Sequence, residues 1–462
     1  MQTEICRGEL IMPRLFGTDG VRGIANKELT PDQAFRLGWA GAQVLAGECT
    51  HKPVIIVGSD TRISCAMLES ALVAGICSAG ADVFICGVIP TPGIAYLVRK
   101  YKCDAGVMIS ASHNSYEFNG IKFFSSNGYK LPDEVEDKIE ALVENYAKAS
   151  CERPIGDLIG RRIEKKNASR DYTEHLKRRM GVDLSGMKIG LDCANGACAH
   201  IAPGLFSDLG ADVVAIGTEP DGININQNCG STHLERLRQL VRRESCDIGI
   251  AFDGDADRML AVDENGVVVD GDVIMAIVAM DMKSQKQLND DTLVVTVMSN
   301  LGLDIMAEER GLKLAKTKVG DRYVLEEMLK QGYSIGGEQS GHIILLEHST
   351  TGDGMLSALR LLRALVNKSE RLSDARQIMQ ILPQVLKSAK VPNERKSSAM
   401  EDEDIKAACD KIQKQLGSKG RILVRASGTE PIIRVMLEGQ DIDEITKMAE
   451  QVTELIVSKY GI

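Results

Sequence analysis

Three aspartates, Asp253, Asp255 and Asp257, alternate with Gly254 and Ala256 in a segment that closes on Arg258. In extended backbone, residues i, i+2 and i+4 share one face, so the three carboxylates crowd together. Like charges so placed repel one another unless a cation sits between them. An all-oxygen ligand set suits Mg²⁺, which also takes phosphate oxygens and keeps several waters. Calcium is the rival ion, but no glutamate follows at the spacing a calcium loop uses for its bidentate ligand. A solvated acidic turn could carry the same residues. The buried-looking run Ile248–Phe252 directly before them favours the metal.

A second segment, Ser110-Ala111-Ser112-His113-Asn114, also follows an apolar run, Ala105–Ile109. A serine hydroxyl is a poor nucleophile alone and needs a base or a metal. Ser112 is the candidate nucleophile; His113, Asn114 and Arg258 are candidate substrate contacts. Lys122 could orient or deprotonate a hydroxyl, or simply snorkel at the surface. A third segment, Gly336 to His342, sets Glu338, Ser340 and His342 among glycines. Carboxylate and hydroxyl groups suit sugar hydroxyls; a lone histidine there is more often structural. A fourth, Arg425-Ala426-Ser427-Gly428-Thr429 with Arg434, offers backbone amides, hydroxyls and two guanidinium groups as a phosphate cradle. Near the start, Gly17 to Gly23 is a glycine-rich turn carrying the cation Arg22.

The elements that must position these segments recur. Short apolar runs flanked by turn residues read as buried strands. One series is Val54–Val57, Ile189–Leu191 and Leu293–Val297; the next is Val83–Ile85, Val213–Ile216 and Leu312–Ala315; the last is Ala105–Ile109, Ile248–Phe252 and Tyr333–Ile335. The serine, aspartate and glutamate segments each follow a member of the last series. Ligands gather beyond the carboxyl ends of strands in open α/β sheets, so the three loops are expected to converge on one cleft. The fold expected is α/β: three similar α/β domains plus a smaller C-terminal α+β domain. The expected divisions are a disordered extension over 1–11, then 12–165 with the serine, 166–262 with the metal site, 263–380 with the sugar loop and 381–462 with the phosphate cradle. Within the last, Glu394 to Asp404 reads as a charged loop, Ile405 to Leu416 as a helix, Arg421–Val424 and Ile432–Leu437 as strands, and Ile442 to Ser458 as a final helix.

The chain has 462 residues and a formal charge of −10, a poor match to nonspecific nucleic-acid binding. Its densest basic run, Arg161 to Arg179, is interrupted by acids and reads as a solvated helix face. Twelve cysteines without zinc-type pairing, and no signal peptide, point to free thiols in a reducing cytoplasm. No apolar run approaches the roughly 20 residues that span a membrane. Nothing in the sequence fixes an oligomeric state.

Taken together, the four segments, in this order, resemble the α-D-phosphohexomutase superfamily, over essentially Met12 to Ile462. Phe16 to Gly23, Gly337 to His342 with its Gln339, and Thr350-Thr351-Gly352-Asp353-Gly354 resemble its bacterial branch acting on glucosamine phosphates. The resemblance implies four domains around a central cleft. It implies interconversion of glucosamine 6-phosphate and glucosamine 1-phosphate on the route to UDP-N-acetylglucosamine. It further implies a phosphoserine at Ser112, and Mg²⁺ held by that phosphate with Asp253, Asp255 and Asp257. Arg22, Lys122 and His342 match positions considered for proton transfer. One departure is Ser115, where the family usually has proline; it bears on loop rigidity. Rival readings are a glucose or mannose phosphate mutase, a metal-dependent serine phosphatase, and a silent phosphosugar-binding protein.

Overall fold

A computed structural model describes residues 14–17, 19–47, 49–148, 153–427 and 430–461. The expected extension over 1–11 lies outside them. The strands are β1 (Val21–Ile24), β2 (Val54–Ser59), β3 (Asp82–Val88), β4 (Ala105–Ile109), β5 (Phe118–Ser125), β6 (Arg162–Glu164), β7 (Lys188–Asp192), β8 (Asp212–Ile216), β9 (Ile248–Phe252), β10 (Met259–Asp263), β11 (Val268–Val269), β12 (Thr292–Thr296), β13 (Lys313–Thr317), β14 (Ile335–Gly337), β15 (Ile343–Leu345), β16 (Gln384–Lys390), β17 (Arg421–Ala426) and β18 (Ile432–Glu438).

Three sheets repeat one plan. The first runs β1-β5-β4-β2-β3-β6, the second β11-β10-β9-β7-β8 and the third β13-β12-β14-β15. Each contains three parallel strands with an antiparallel strand beside the third, β5 on β4, β10 on β9 and β15 on β14; the first sheet adds β1 and the parallel β6 at its edges, and the second adds β11. The central strands are buried along their length, as in β4 and β9, because helices cover both faces. The serine, aspartate and glutamate loops all occupy the same place, between the third parallel strand and its antiparallel neighbour. They are therefore strand-to-strand connections at the carboxyl end of the sheet.

One apolar core runs through all three units. Ile56 and Leu97 from the first, Leu191 and Phe252 from the second, and Leu293 and Leu359 from the third belong to it, with Tyr172 of helix Ala168–Met180. The Tyr172 hydroxyl donates to Asp353 at 2.8 Å, and Asp353 caps helix Gly354–Lys368. A shared core of this kind holds the three units in fixed relation.

The C-terminal unit has a core of its own, including Ile412, Ile433, Leu437, Ile445 and Val452. Its sheet, β16-β18-β17, is wholly antiparallel. Polar bonds join it to the third unit. Asn300 exchanges two hydrogen bonds with the Leu382 backbone, and buried Glu438 accepts from the Leu301 amide at 3.0 Å and from Arg421 at 2.6 Å. Where a charged loop was expected over Glu394 to Asp404, helix Asn393–Glu401 forms instead. Its buried face is Ala399 and Lys396, a lysine whose ammonium is satisfied by the Ser427 and Glu430 carbonyls, so no apolar periodicity marks it.

Candidate active site

Ser112 is buried and its φ is 52°, a left-handed conformation that serine rarely adopts. The loop around it is held by a buried pair, Asp60 and Arg62, that follows β2. Arg62 donates to the carbonyls of Ser112 (2.9 Å), Asn114 (2.8 Å) and Ser115, while Asn226 donates to the first two at 2.9 and 3.0 Å. Asp60 accepts from the Ser110 hydroxyl at 2.6 Å, and that hydroxyl accepts from the Ser112 amide at 2.9 Å. The strained serine is thus fixed from both sides, with Arg62 gripping the Ser115 carbonyl in a loop that lacks the family's proline.

The aspartate loop meets it directly. The Ser112 hydroxyl donates to Asp253 at 2.6 Å. Gly254 backs onto the serine: a Cβ there would lie 2.5 Å from the Ser112 carbonyl oxygen. Thr91 and Lys122 both donate to Asp255 Oδ2, at 2.6 and 3.0 Å. The loop is tied to the first unit by the Thr91 amide on the Asp255 carbonyl, and to the third by the Gly354 amide on the Ala256 carbonyl.

Carboxylate oxygens from Asp253, Asp255 and Asp257 lie within 4.8 Å of one another. All three residues are buried, and Oδ1 of both Asp255 and Asp257 has no hydrogen-bond partner. Burial, reinforced by Asp257 and Asp255, pushes the Asp253 carboxyl well above its ordinary range. Burial would also raise Asp255, but Lys122 and Thr91 overcome it and hold that carboxyl below its ordinary value. Three crowded acids, two bare oxygens and a serine hydroxyl fit a hard divalent cation such as Mg²⁺. Lys122, expected either to act or to snorkel, is buried. Burial pulls its pKa down, yet Asp255 and Asp19 outweigh this and keep the ammonium above its usual value.

The remaining cations surround the acids. Arg22 lies 3.2 Å from Asp19, and its Nε and Nη2 make no hydrogen bond. Arg258 donates to His113 Nδ1 at 3.0 Å. Burial, then Arg258 and Arg22, push His113 down to about 4, so its ring is neutral and accepts that bond. His342 is buried with its Nε2 3.8 Å from Asp257 and 3.4 Å from Asp321. Glu338 accepts from the Gly320 amide at 3.1 Å, and burial raises its pKa. Ser340, beside it, is exposed.

The fourth segment stands apart: among the described residues, Arg425, Ser427 and Arg434 make no hydrogen bond or ion pair with the other three loops. Arg425 and Arg434 are direct cross-strand partners on β17 and β18. Arg434 pairs with Glu430 at 2.6 Å, while Arg425 Nε is buried without a partner. Burial, then Arg434, lowers the Arg425 pKa. Two cations side by side, one lacking a counter-charge, suit an anion. Gly428 and Thr429 lie outside the described residues.

Sequence reasoning missed Asp60, Arg62, Thr91, Asn226 and Lys396. The one local signal was Ser59-Asp60-Thr61-Arg62, a polar stretch at the carboxyl end of β2.

Fold and site together define a phosphohexose mutase, an isomerase. The chain belongs to the phosphoglucomutase/phosphomannomutase family: the models of its alpha/beta/alpha domains I, II and III match residues 13–150, 170–266 and 270–382, and that of its C-terminal domain matches 386–455. Within it, the chain is similar to the phosphoglucosamine mutases of Ruminiclostridium cellulolyticum (57% identical, 96% of this chain and 99% of that one) and Acetivibrio thermocellus (55%, 97% and 100%). The fold matches a solved phosphoglucomutase/phosphomannomutase family protein of Burkholderia thailandensis (TM-score 0.81, 22% identity, 96% and 97% covered). It also matches N-acetylphosphoglucosamine mutase of Aspergillus fumigatus, solved with GlcNAc-6P and magnesium (TM-score 0.68, 18% identity, 97% and 96% covered). No helix among the described residues is long and apolar enough to cross a membrane.

Proposed function

We propose that this chain interconverts glucosamine 6-phosphate and glucosamine 1-phosphate, using a phosphoserine at Ser112 and a bisphosphate intermediate, in the cytoplasm and towards UDP-N-acetylglucosamine. The observation that carries the reading is the contact between the Ser112 hydroxyl and Asp253, which brings nucleophile and acid cluster into one site.

Asp253, Asp255 and Asp257, with the Ser112 phosphate, would hold Mg²⁺, which when bound neutralises charge on phosphoryl oxygens. In the forward half-reaction a sugar hydroxyl attacks the Ser112 phosphorus. The phosphorus–Oγ bond breaks as the bond to the sugar oxygen forms, and the hydroxyl proton is taken up so that Oγ leaves as serine. In the second half-reaction the Ser112 hydroxyl attacks the other phosphorus of the reoriented bisphosphate, the bond from that phosphorus to the sugar oxygen breaks, and the serine proton passes to the sugar oxygen, which leaves as a hydroxyl. Arg22, Lys122 and His342 are assigned these proton movements; each lies within 4 Å of a carboxylate. Lys122 is held as an ammonium by Asp255 and gives up its proton more readily once Asp255 is engaged elsewhere. Glu338 and Ser340 serve the sugar hydroxyls in either orientation, with His113, Asn114 and Arg258 toward the transferred group. Arg425, Ser427, Gly428, Thr429 and Arg434 hold the phosphate that is not reacting. The separate core of the C-terminal unit suits movement between binding, reorientation and release.

The test is a turnover panel with the 6-phosphates of glucosamine, glucose and mannose, after priming with a hexose bisphosphate. Fastest 1-phosphate formation from glucosamine supports the assignment. Preference for glucose or mannose moves it to those mutases, and release of phosphate without the 1-phosphate makes it a phosphatase.

A further inference from the structure

The basic run at the end of helix Ala168–Met180 is exposed, as expected, and also borders a groove. Arg178 and Arg179 line a cavity of about 630 Å³ together with Tyr333, His348, Arg360 and Arg363. They also line an adjoining cavity of about 520 Å³, with Tyr96, Arg99, Lys100 and His175. The two share Arg178, Arg179, Glu347 and His348, so they form one groove across the first and third units.

This groove opens on the side of the third sheet opposite the catalytic loops. Tyr333 and Ser334 immediately precede β14, whose other end carries Glu338. The groove therefore opens at the amino end of the third sheet, and the acid cluster lies at the carboxyl end.

Its charge is one-sided. Six basic side chains, Arg99, Lys100, Arg178, Arg179, Arg360 and Arg363, face a single lining carboxylate, Glu347, in a chain whose net charge is −10. Lys100 is paired with Asp171 at 3.3 Å, but among the described residues Arg99, Arg178, Arg179 and Arg363 make no ion pair. Arg360 is only 3% exposed; its Nη1 is paired with Asp281, and its Nη2 is buried without a partner. The Nδ1 of His348 is likewise buried and unpartnered. A buried, half-used guanidinium is costly unless something completes it, and planar guanidinium groups match phosphate oxygens. Burial lowers both His175 and His348, and the neighbouring arginines add to the effect, so the imidazoles do not already supply the charge. Tyr96, stacked on His175 with centroids 4.0 Å apart, gives one wall an aromatic surface.

We propose that this groove is a second, non-catalytic site for a small pyrophosphate-bearing metabolite, of the nucleoside diphosphate class. The charge count exceeds what one phosphate needs, and the volume is that of a nucleotide-sized ligand.

Calorimetric titration of the full chain with inorganic pyrophosphate, a nucleoside diphosphate and orthophosphate tests this, with glucosamine 6-phosphate at saturation so that the catalytic cleft is filled. Binding of pyrophosphate and the diphosphate is expected to persist under saturation and to exceed that of orthophosphate. It should weaken by at least about tenfold in the double variant R179Q/R363Q, whose side chains make no ion pair to lose. Tighter binding of the diphosphate than of pyrophosphate identifies the nucleotide as the source of the phosphates. The proposal is overturned if none of the three binds, if saturation with substrate abolishes binding, or if the double variant binds as the parent does. It is equally overturned if the substitutions change only the oligomeric state, which makes the groove a contact between copies.

Discussion

The Ser112 hydroxyl and the Asp253 carboxylate lie 2.6 Å apart although 141 positions separate them in the chain. The contact joins two repeats of one sheet plan through the same connection in each. Ser112→Ala is therefore expected to abolish mutase turnover while leaving the fold in place. The strain at φ 52° is borne by alanine as by serine, and the stability cost is that of one hydrogen bond, about 1 kcal/mol. A turnover assay, thermal melting and intact mass before and after priming check this. Substantial residual turnover removes the carrier role.

Asp255 serves two partners, since Lys122 and Thr91 both donate to one oxygen while the other stays bare. Asp255→Asn is expected to raise the Mg²⁺ concentration needed for half-maximal activity by at least about tenfold. It also strands a buried ammonium, so melting should fall, by about 3 kcal/mol or more in stability. An unchanged metal titration counts against Asp255 as a ligand, whatever happens to the melt.

Arg62 does not reach the reacting oxygen; it holds three carbonyls of the loop that carries it. Arg62→Ala should lower kcat by about tenfold or more with little change in KM, and should cost roughly 3 kcal/mol because Asp60 is left buried and unpaired. Lysine at 62 cannot span three carbonyls and Asp60 together, so it should recover stability better than rate. Equal recovery of both would reduce Arg62 to a structural residue.

How far the sequence foretold this site depends on how local each signal is. The alternating aspartates announce a carboxylate cluster within five residues, although a turn with Ala256 at φ 54° gathers them in place of the extended segment expected; β4 and β9 announce themselves as continuous apolar runs. Their antiparallel neighbours, β5 and β10, were not separated from the loops, because the polar residues Asn119 and Lys122 sit within one and Arg258 directly before the other. Asp60, Thr91 and Asn226 have partners 50 to 164 positions away, at Ser110, Asp255 and the Ser112 carbonyl. Lys396 hid for another reason. Its helix buries a charge against carbonyls in place of an apolar stripe, so the usual period is missing.

At the junction with the C-terminal unit, Asp272 is wholly buried, accepts from the Asn300 amide at 2.8 Å, and has a second oxygen without a partner. Burial, reinforced by Asp270, pushes its carboxyl up to about 7. A carboxyl raised on folding favours the protonated folded state. Its contribution is complete below the ordinary carboxylate pKa and is lost as pH rises through about 7. The parent should accordingly lose stability between pH 5 and 8 relative to Asp272→Asn, by roughly 1–3 kcal/mol. Parallel denaturation curves for parent and variant across that range would show that Asp272 stays ionised.

Arg425 and Arg434 face each other across β17 and β18, and only Arg434 has a carboxylate partner. Two guanidinium groups in register repel, so the free protein carries a small strain that an anion would relieve. Arg425→Ala removes that repulsion along with the ligand contact, so melting in the absence of substrate should be unchanged or slightly higher. Loss of a charged hydrogen bond to phosphate weakens binding by about 1.5–3 kcal/mol, or roughly ten- to 150-fold in KM. Because the cradle holds the phosphate that is not being transferred, kcat should fall less than kcat/KM. Steady-state kinetics beside a thermal melt separate the cases. A raised KM with an unperturbed melt assigns the pair to substrate, whereas an unaltered KM places the phosphate cradle elsewhere.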